Sequence, residues 1–511
     1  MINRRGTLCA GRWTIVVVVL LLGSFITFDS YTYRLLSTLS QSPVSLAFLT
    51  TSSSYHSDSK ELQSSNASSP ENVNESNPHR LQPQVAARNS NRGDPQNVNG
   101  SEQDNLKEND EKAELSQLQL TSTRRVELDL WQARAALKRI ALEDNDERGE
   151  ENEQLSNGDP HGKAYRNAAL FRQSYMEMED RFKIYIYQEG EEPLVHDGPC
   201  KEIYAVEGRF IQELQDRNPF VTSDPEEAHV FFLPFSVAMM VTYLYTQNSG
   251  DMSPLLKFVQ DYVHLISHKY PYWNKSEGAD HFMLSCHDWG PYVTRVDNNL
   301  YSKSIRVLCN ANTSEGFIPY KDASLPEINL VGGEVPTVLG GFPVAARKYL
   351  AFFAGADHGP VRPYVFKHWE GKNTNVVVHR RVPVAAGLTY HEYMKSSKFC
   401  LCPGGYEVNS PRLVEAIYND CIPVIIADKF VLPFSDVLDW SRFSLQILEA
   451  DIPKLKEILE AVSEETLIEL QNRVKQVRKH FLLNKPPERY DVFHMILHSV
   501  WLRRLNIRLL R

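Results

Sequence analysis

Six short runs, each apolar along almost its whole length, recur beyond residue 180: FKIYIY (182–187), HVFFLPF (229–235), YLAFFAG (349–355), NVVVH (375–379), KFCLCP (398–403) and CIPVIIA (421–427). A strand with one wet face alternates polar and apolar residues. A run without alternation suits a strand covered on both faces, as in a parallel sheet. Between the runs lie helix-like stretches at 205–216, 251–269, 362–370, 389–396, 411–419 and 453–480. Parallel neighbours need crossovers long enough to hold a helix, so the alternation predicts an α/β fold of doubly wound, Rossmann-like sheets. The roughly 330 residues beyond Arg181 exceed one hydrophobic core, which predicts two such lobes. The break is expected near 335–350, where Gly332, Gly333, Gly340, Gly341 and Pro343 cluster.

The texture upstream is different. Trp13 to Phe28 carries no charge and follows Arg4, Arg5 and Arg12. This predicts a transmembrane signal-anchor over 13–33, a cytoplasmic tail over 1–12 and a lumenal remainder. A cleaved signal peptide has a similar apolar length, but Phe25, Ile26 and Phe28 are too bulky for a cleavage pattern. Residues 34–160 read as a mostly disordered stem, because the Ser, Asn, Gln and Pro of 45–112 cannot bury a core. One helix is expected in it over 113–148, where Leu115, Leu118, Leu130, Ala133, Leu137 and Ile140 form a loose stripe read as a solvated spacer. Asn66, Asn74 and Asn99 open glycosylation sequons in the stem, and Asn274 and Asn312 open two more beyond it.

Charge and cysteine usage narrow the partners. Fifty-five basic against 64 acidic residues leave a net charge of −9, no footprint for nucleic acid. Six of the 7 cysteines follow the anchor, an even number suited to an oxidising compartment. Cys286 with Cys309 is one reasonable pairing, which spacing alone does not decide. Cys400 and Cys402 stand two residues apart in one strand, about 6.6 Å along its axis, and are not expected to bond each other.

The best-defined local site is LCPGGYEVNSPRLVEAIYNDCIPVII (401–426). A strand ends at Pro403, and Gly404 and Gly405 allow a tight turn and close approach to a ligand. Ser410 suits an N-cap, with Pro411 at the first helical position. A helix N-terminus at the carboxyl end of a strand offers free N–H groups to an anion. Arg412 adds a permanent cation for a diphosphate, and Glu415, one turn on, an acceptor for ribose hydroxyls. An ordinary capped helix with a surface Arg and Glu would show the same pattern.

The stretch CPGGYEVNSPRLVEAIYNDCIPVIIADKFVLPFSDVLDW resembles the plant branch of the exostosin-like glycosyltransferases. So do YPYWNKSEGADHFMLSCHDWGP (270–291), LAFFAGADHGPVRP (350–363) and RYDVFHMILHSVWLRRLNIR (489–508). The resemblance covers roughly 180–511 and leaves out the stem. It implies a type II Golgi membrane enzyme of GT-B architecture: an acceptor-side lobe over 175–340, a donor-side lobe over 345–485 and a C-terminal helix over 486–511. It implies inverting transfer from a nucleotide-sugar, a UDP-sugar, to cell-wall or matrix polysaccharide, with Arg412 and Glu415 at donor-contacting positions. Members usually carry Ser where Gly404 stands, and VHRRVP (378–383) departs in its charges. The alternative function is a non-catalytic sugar-binding or scaffold subunit of a polysaccharide synthase complex. Other glycosyltransferases, or a second copy, would then be partners.

No metal or other cofactor is expected. The only D-x-D is Asp144-Asn145-Asp146, in the charged stalk region, and His494 and His498 share a helix face without a third ligand. Charge on the leaving diphosphate is then assigned to the helix N-terminus and Arg412, helped by Arg362. His358 is expected to face the cleft with them. For the base that takes the acceptor proton, GADHFMLSCHDWGP offers Asp280, His281, His287 and Asp288. Asp288, at a strand-end turn, is placed first and His287 second. Trp273, Trp289 and Tyr292 are candidates for stacking on sugar rings.

Overall fold

The computed structural model describes residues 122–146, 159–216, 218–383 and 387–509. The expected anchor over 13–33 and the sequons at Asn66, Asn74 and Asn99 lie outside the described residues. Among the described residues no helix is long and apolar enough to cross a membrane.

All six apolar runs form strands, in two all-parallel sheets. The first holds β1 (Ile184–Ile186), β2 (Val230–Phe232), β3 (His281–Ser285), β4 (Ile305–Leu308) and β5 (Ala323–Ser324), side by side in chain order. The second holds β6 (Tyr349–Ala354), β7 (Val376–His379), β8 (Ser397–Pro403), β9 (Ile422–Ile426) and β10 (Leu445–Gln446), in the order β10-β9-β8-β6-β7. Three of the four strands that pattern reading missed have physical reasons to be hidden. Strand β4 carries Arg306, fully buried and bonded to Asp322 Oδ2 at 2.5 Å, so a charge interrupts its apolar run. Strands β5 and β10 are two residues long and carry no period at all.

Helices flank both sheets: α1 (Ser122–Asp146), α2 (Ala168–Arg181), α3 (Ala205–Gln215), α4 (Val237–Leu244), α5 (Ser253–Lys269), α6 (Val361–Trp369), α7 (Tyr390–Lys395), α8 (Arg412–Tyr418), α9 (Glu464–Val477) and α10 (Val492–Asn506). The first sheet shows why its strands needed no polar face. Ile184, Val230, Phe282 and Val307 pack with Phe210 and Leu214 of α3 and with Ile496 and Trp501 of α10. Alternate residues Phe231, Met283 and Leu308 pack with Leu255, Val259 and Val263 of α5. The stretch at 453–480 is not one helix: Ser463 caps α9 afresh, its hydroxyl accepting from the Thr466 N–H.

Two expectations change. Helix α1 is no solvated spacer, because Leu130 and Ala133 are fully buried in the core of the first lobe, and Arg134 donates to the carbonyls of Leu505 and Ile507. Asn312 is buried at the lobe junction, its Nδ2 on Glu315 Oε1 at 2.9 Å and its backbone bridged to Phe430, so a glycan there would break both contacts. Asn274 is exposed on the short helix Pro271–Ser276, its Nδ2 bonded to the Ser267 carbonyl. The Cys286–Cys309 disulfide ties the ends of β3 and β4, and a second, Cys400–Cys421, ties β8 to the approach to β9. Cys402 is a buried thiol that burial pushes up to about 12.

Candidate active site

The second sheet reverses direction between β6 and β8. The chain steps outward from β6 to β7, then crosses back to lay β8 on the other side. The crevice beyond the carboxyl ends of such a pair is where α/β sheets hold ligands. Two loops border it, 355–360 after β6 and 404–411 after β8, and each feeds an arginine from the next helix into the crevice.

Arg412 opens α8. Its Nε donates to the Ala354 carbonyl at 3.0 Å, its Nη1 to the Ser410 hydroxyl at 3.0 Å, and its Cζ lies 5.3 Å from the centre of the Phe353 ring. Ser410 therefore does not cap the helix as expected. Its hydroxyl is taken by the guanidinium, and Pro411 occupies the N-cap without a side-chain bond. Helix α8 has only 7 residues, so the guanidinium rather than the helix terminus supplies the positive charge. Arg362 lies in the first turn of α6, buried, with Nη1 on the Ala356 carbonyl at 3.4 Å and Nε without a partner. Burial and then the nearby Arg412 lower its pKa to about 10.

The Gly-Gly turn divides by role. A Cβ at Gly405 would stand 2.7 Å from Arg362 Nη2, whereas one at Gly404 would meet nothing closer than 3.6 Å. Gly359 (φ 67°) lies on the other side, where a Cβ would come within 1.7 Å of the Gly405 carbonyl oxygen. A Cβ at Gly405 would therefore press on the Arg362 guanidinium, whereas Gly404 leaves room for one. Gly405→Ala is expected to push Arg362 aside at an overpacking cost of about 1–3 kcal/mol. That predicts a lower melting temperature, read by calorimetry. Gly404→Ala is expected to melt with the native protein.

The remaining donor-side candidates border this pair. Glu415 accepts from the Tyr390 hydroxyl at 2.7 Å, a bond that pattern reading did not foresee. His358 is exposed and stacks on Tyr406, ring centres 4.6 Å apart, while Tyr406 itself is 73% exposed. Arg380, the first arginine of VHRRVP, pairs with Asp357 and Glu370 over the Phe366 ring.

The 404–411 loop then reaches across to the first lobe. Asn409 Nδ2 donates to the Cys309 and Leu325 carbonyls, at the ends of β4 and β5. Glu407 hydrogen-bonds to Glu327, which follows β5. Both carboxyls are buried, and two neighbours cannot both ionise. Burial and then Asp288 push Glu327 up to about 8, against Arg412 and Arg362, and burial and then Glu327 raise Glu407 well above its ordinary value. Sequence reading missed this pair. The signal was there: Glu327 is the lone charge in the apolar run SLPEINL, and Glu407 lies inside the quoted motif.

Asp288 and His287 stand at the end of β3, on the first-lobe side. The Tyr204 hydroxyl donates to Asp288 Oδ1 at 2.9 Å, and Asn310 Nδ2 donates to the Asp288 carbonyl at 2.9 Å. His287 Nδ1 accepts from the Trp289 N–H at 3.1 Å, which puts its proton on Nε2, and burial lowers its pKa against the pull of Asp288. A neutral imidazole in that tautomer has no free lone pair for a proton, which leaves the Asp288 carboxyl as the proton-accepting candidate of this adjacent pair. Asp280 and His281 are structural: Asp280 accepts from Ser276, His281 Nδ1 lies 2.7 Å from Asp280 Oδ1, and its Nε2 meets the Tyr187 hydroxyl at 2.8 Å. Trp273 is core, packed edge-on against His281. His498 bonds Ser174 and His494 bonds Asp491, inside the packing of α10.

Two parallel-sheet lobes, paired guanidiniums at the reversal of the second and a carboxyl group at a strand end of the first define a two-lobed α/β protein of GT-B type. Residues 178–462 match the Exostosin GT47 domain. The chain belongs to that glycosyltransferase family. It is 50% identical over 392 residues to a probable glycosyltransferase of Arabidopsis thaliana, covering 76% of this chain and 74% of the relative. It is 54% identical over 354 residues to a second such protein of that plant, covering 68% and 73%. A probable beta-1,4-xylosyltransferase of the same plant is 27% identical over 354 residues, covering 63% of this chain and 82% of the relative.

Proposed function

We propose that this glycosyltransferase transfers a sugar from a UDP-sugar to a cell-wall or matrix polysaccharide with inversion, as a single-pass type II Golgi protein with its catalytic part in the lumen. One observation carries the reading. Arg362 and Arg412 sit close enough to repel, yet their hydrogen bonds go to backbone carbonyls and a hydroxyl. Two confined cations of this kind await an anion, and a diphosphate at the β6–β8 crevice is the anion the fold accommodates.

The chemistry follows from the two sides. The acceptor hydroxyl attacks the anomeric carbon on the face opposite the diphosphate, and its proton passes to the Asp288 carboxylate. The bond to the diphosphate breaks as the new one forms, and the charge grows on oxygens that Arg412 and Arg362 already face. The Tyr204 hydroxyl holds Asp288 in place. These guanidiniums take the role a divalent cation plays elsewhere, so the reading includes no metal or other cofactor.

The test is a panel of nucleotide-sugars offered to the purified protein, with and without chelator. One donor is expected to be hydrolysed slowly without acceptor, and chelator to leave that rate largely intact. Loss of turnover in chelator, restored by manganese, would argue for a different donor site. A well-folded protein that turns over no donor is the scaffold subunit instead.

A further inference from the structure

A second cleft, of about 820 Å³, opens on the first lobe beside Asp288. Its wall is aromatic. Tyr245 packs edge-on against Trp289 with ring centres 4.8 Å apart, Trp289 lies 5.2 Å from His287, and His287 lies 4.9 Å from Tyr204. That chain of rings ends at the Asp288 carboxyl, which Tyr204 holds. Tyr406 reaches in from the second lobe with most of its ring uncovered.

The polar groups of the cleft are one-sided. Asp288 and Glu315 supply carboxyl groups, and among the described residues no lysine or arginine lines the cleft. Asn310 is buried in the same wall, its Nδ2 shared between the Asp288 carbonyl and Glu315 Oε2, while its Oδ1 finds no partner. An orphaned acceptor beside a stacking surface suits a hydroxyl-rich ligand, because a hydroxyl donates and an anion cannot. Sugar rings present an apolar face to aromatic side chains and hydroxyls at their rim. A chain of uronates would instead bring carboxylates against Asp288 and Glu315 with no cation to receive them.

We propose that this cleft is the acceptor site and that it takes a neutral glycan chain, stacked on Tyr245, Trp289 and Tyr406, and rejects uronate-rich chains. The inference rests on the glycosyltransferase reading and narrows its acceptor class.

The test measures binding without donor, by calorimetry on the full chain. Xylohexaose, cellohexaose and galactohexaose serve as neutral probes and hexagalacturonate as the acidic one. At least one neutral probe is expected to bind saturably and at least tenfold more tightly than hexagalacturonate, with the gap narrowing as salt is raised. Trp289→Ala is expected to cost that probe tenfold or more, and Trp289→Phe to restore most of it, with melting curves checking the fold. Tyr245→Ala gives an independent second variant. Hexagalacturonate binding as tightly as any neutral probe, no neutral binding, or neutral binding indifferent to both alanine variants would overturn the proposal. Neutral binding by a protein that turns over no donor would sink the enzyme reading and leave this one standing.

Discussion

Arg412→Lys is expected to lower kcat by about 10²-fold while the protein keeps its fold, the scale seen when one preorganised oxyanion donor is removed. Two of the three guanidinium nitrogens are already spent, Nε on the Ala354 carbonyl and Nη1 on the Ser410 hydroxyl. The third, Nη2, lies against Gly355, where a Cβ would come within 2.3 Å. The guanidinium is thus anchored at two nitrogens and packed against Gly355 at the third. A lysine ammonium is a point charge and cannot make both anchoring bonds and a directed contact at once. Losing two anchoring hydrogen bonds costs about 0.5–1.5 kcal/mol each, a shift of several degrees in melting temperature and not an unfolding. Steady-state kinetics at saturating donor and a melting curve decide the matter. Near-normal turnover would remove Arg412 from the mechanism, and a collapsed melting curve would make it a brace for the loop.

Asp288→Asn is expected to be comparably severe, with kcat/KM falling by about 10²–10⁴-fold, the usual contribution of a positioned base. The substitution is nearly isosteric, and the carboxamide oxygen can still accept from the Tyr204 hydroxyl. A loss of rate would therefore report the missing proton acceptor and not a disturbed fold. Glu327 is the competing carboxyl. Burial and the neighbouring Asp288 push it up to about 8, so it is mostly protonated at neutral pH and able to donate, not accept. If Glu327→Gln abolishes turnover and Asp288→Asn does not, the base belongs to the buried pair.

Much of the architecture was legible as local pattern. Six strands and most helices announced themselves because burial on both faces of a parallel sheet demands unbroken apolar runs, and strand burial is a local requirement. The 404–411 loop was legible too, since Arg412 and Gly405 belong to one contiguous motif. Charge inside a strand defeated the same reading: Arg306 is buried because Asp322, 16 residues on, neutralises it. The expected disulfide between Cys286 and Cys309 is present, whereas Cys400–Cys421 joins neighbouring strands whose pairing only the sheet order reveals.

Pairings across the fold needed the packed molecule. Period and spacing set α1 as a helix, but only docking against α2 and α10 buries Leu130 and Ala133. Which of two adjacent residues can accept a proton was decided by one backbone N–H, that of Trp289, which occupies His287 Nδ1 and leaves Asp288 as the candidate. Glu327 and Glu407 are 80 residues apart in the chain and share a hydrogen bond only because the 404–411 loop crosses between lobes. Apolar periodicity follows from a residue's own solvation, so the chain carries it openly. A shifted pKa or an orphaned acceptor depends on which distant group arrives beside it, and that is settled when the two sheets pack.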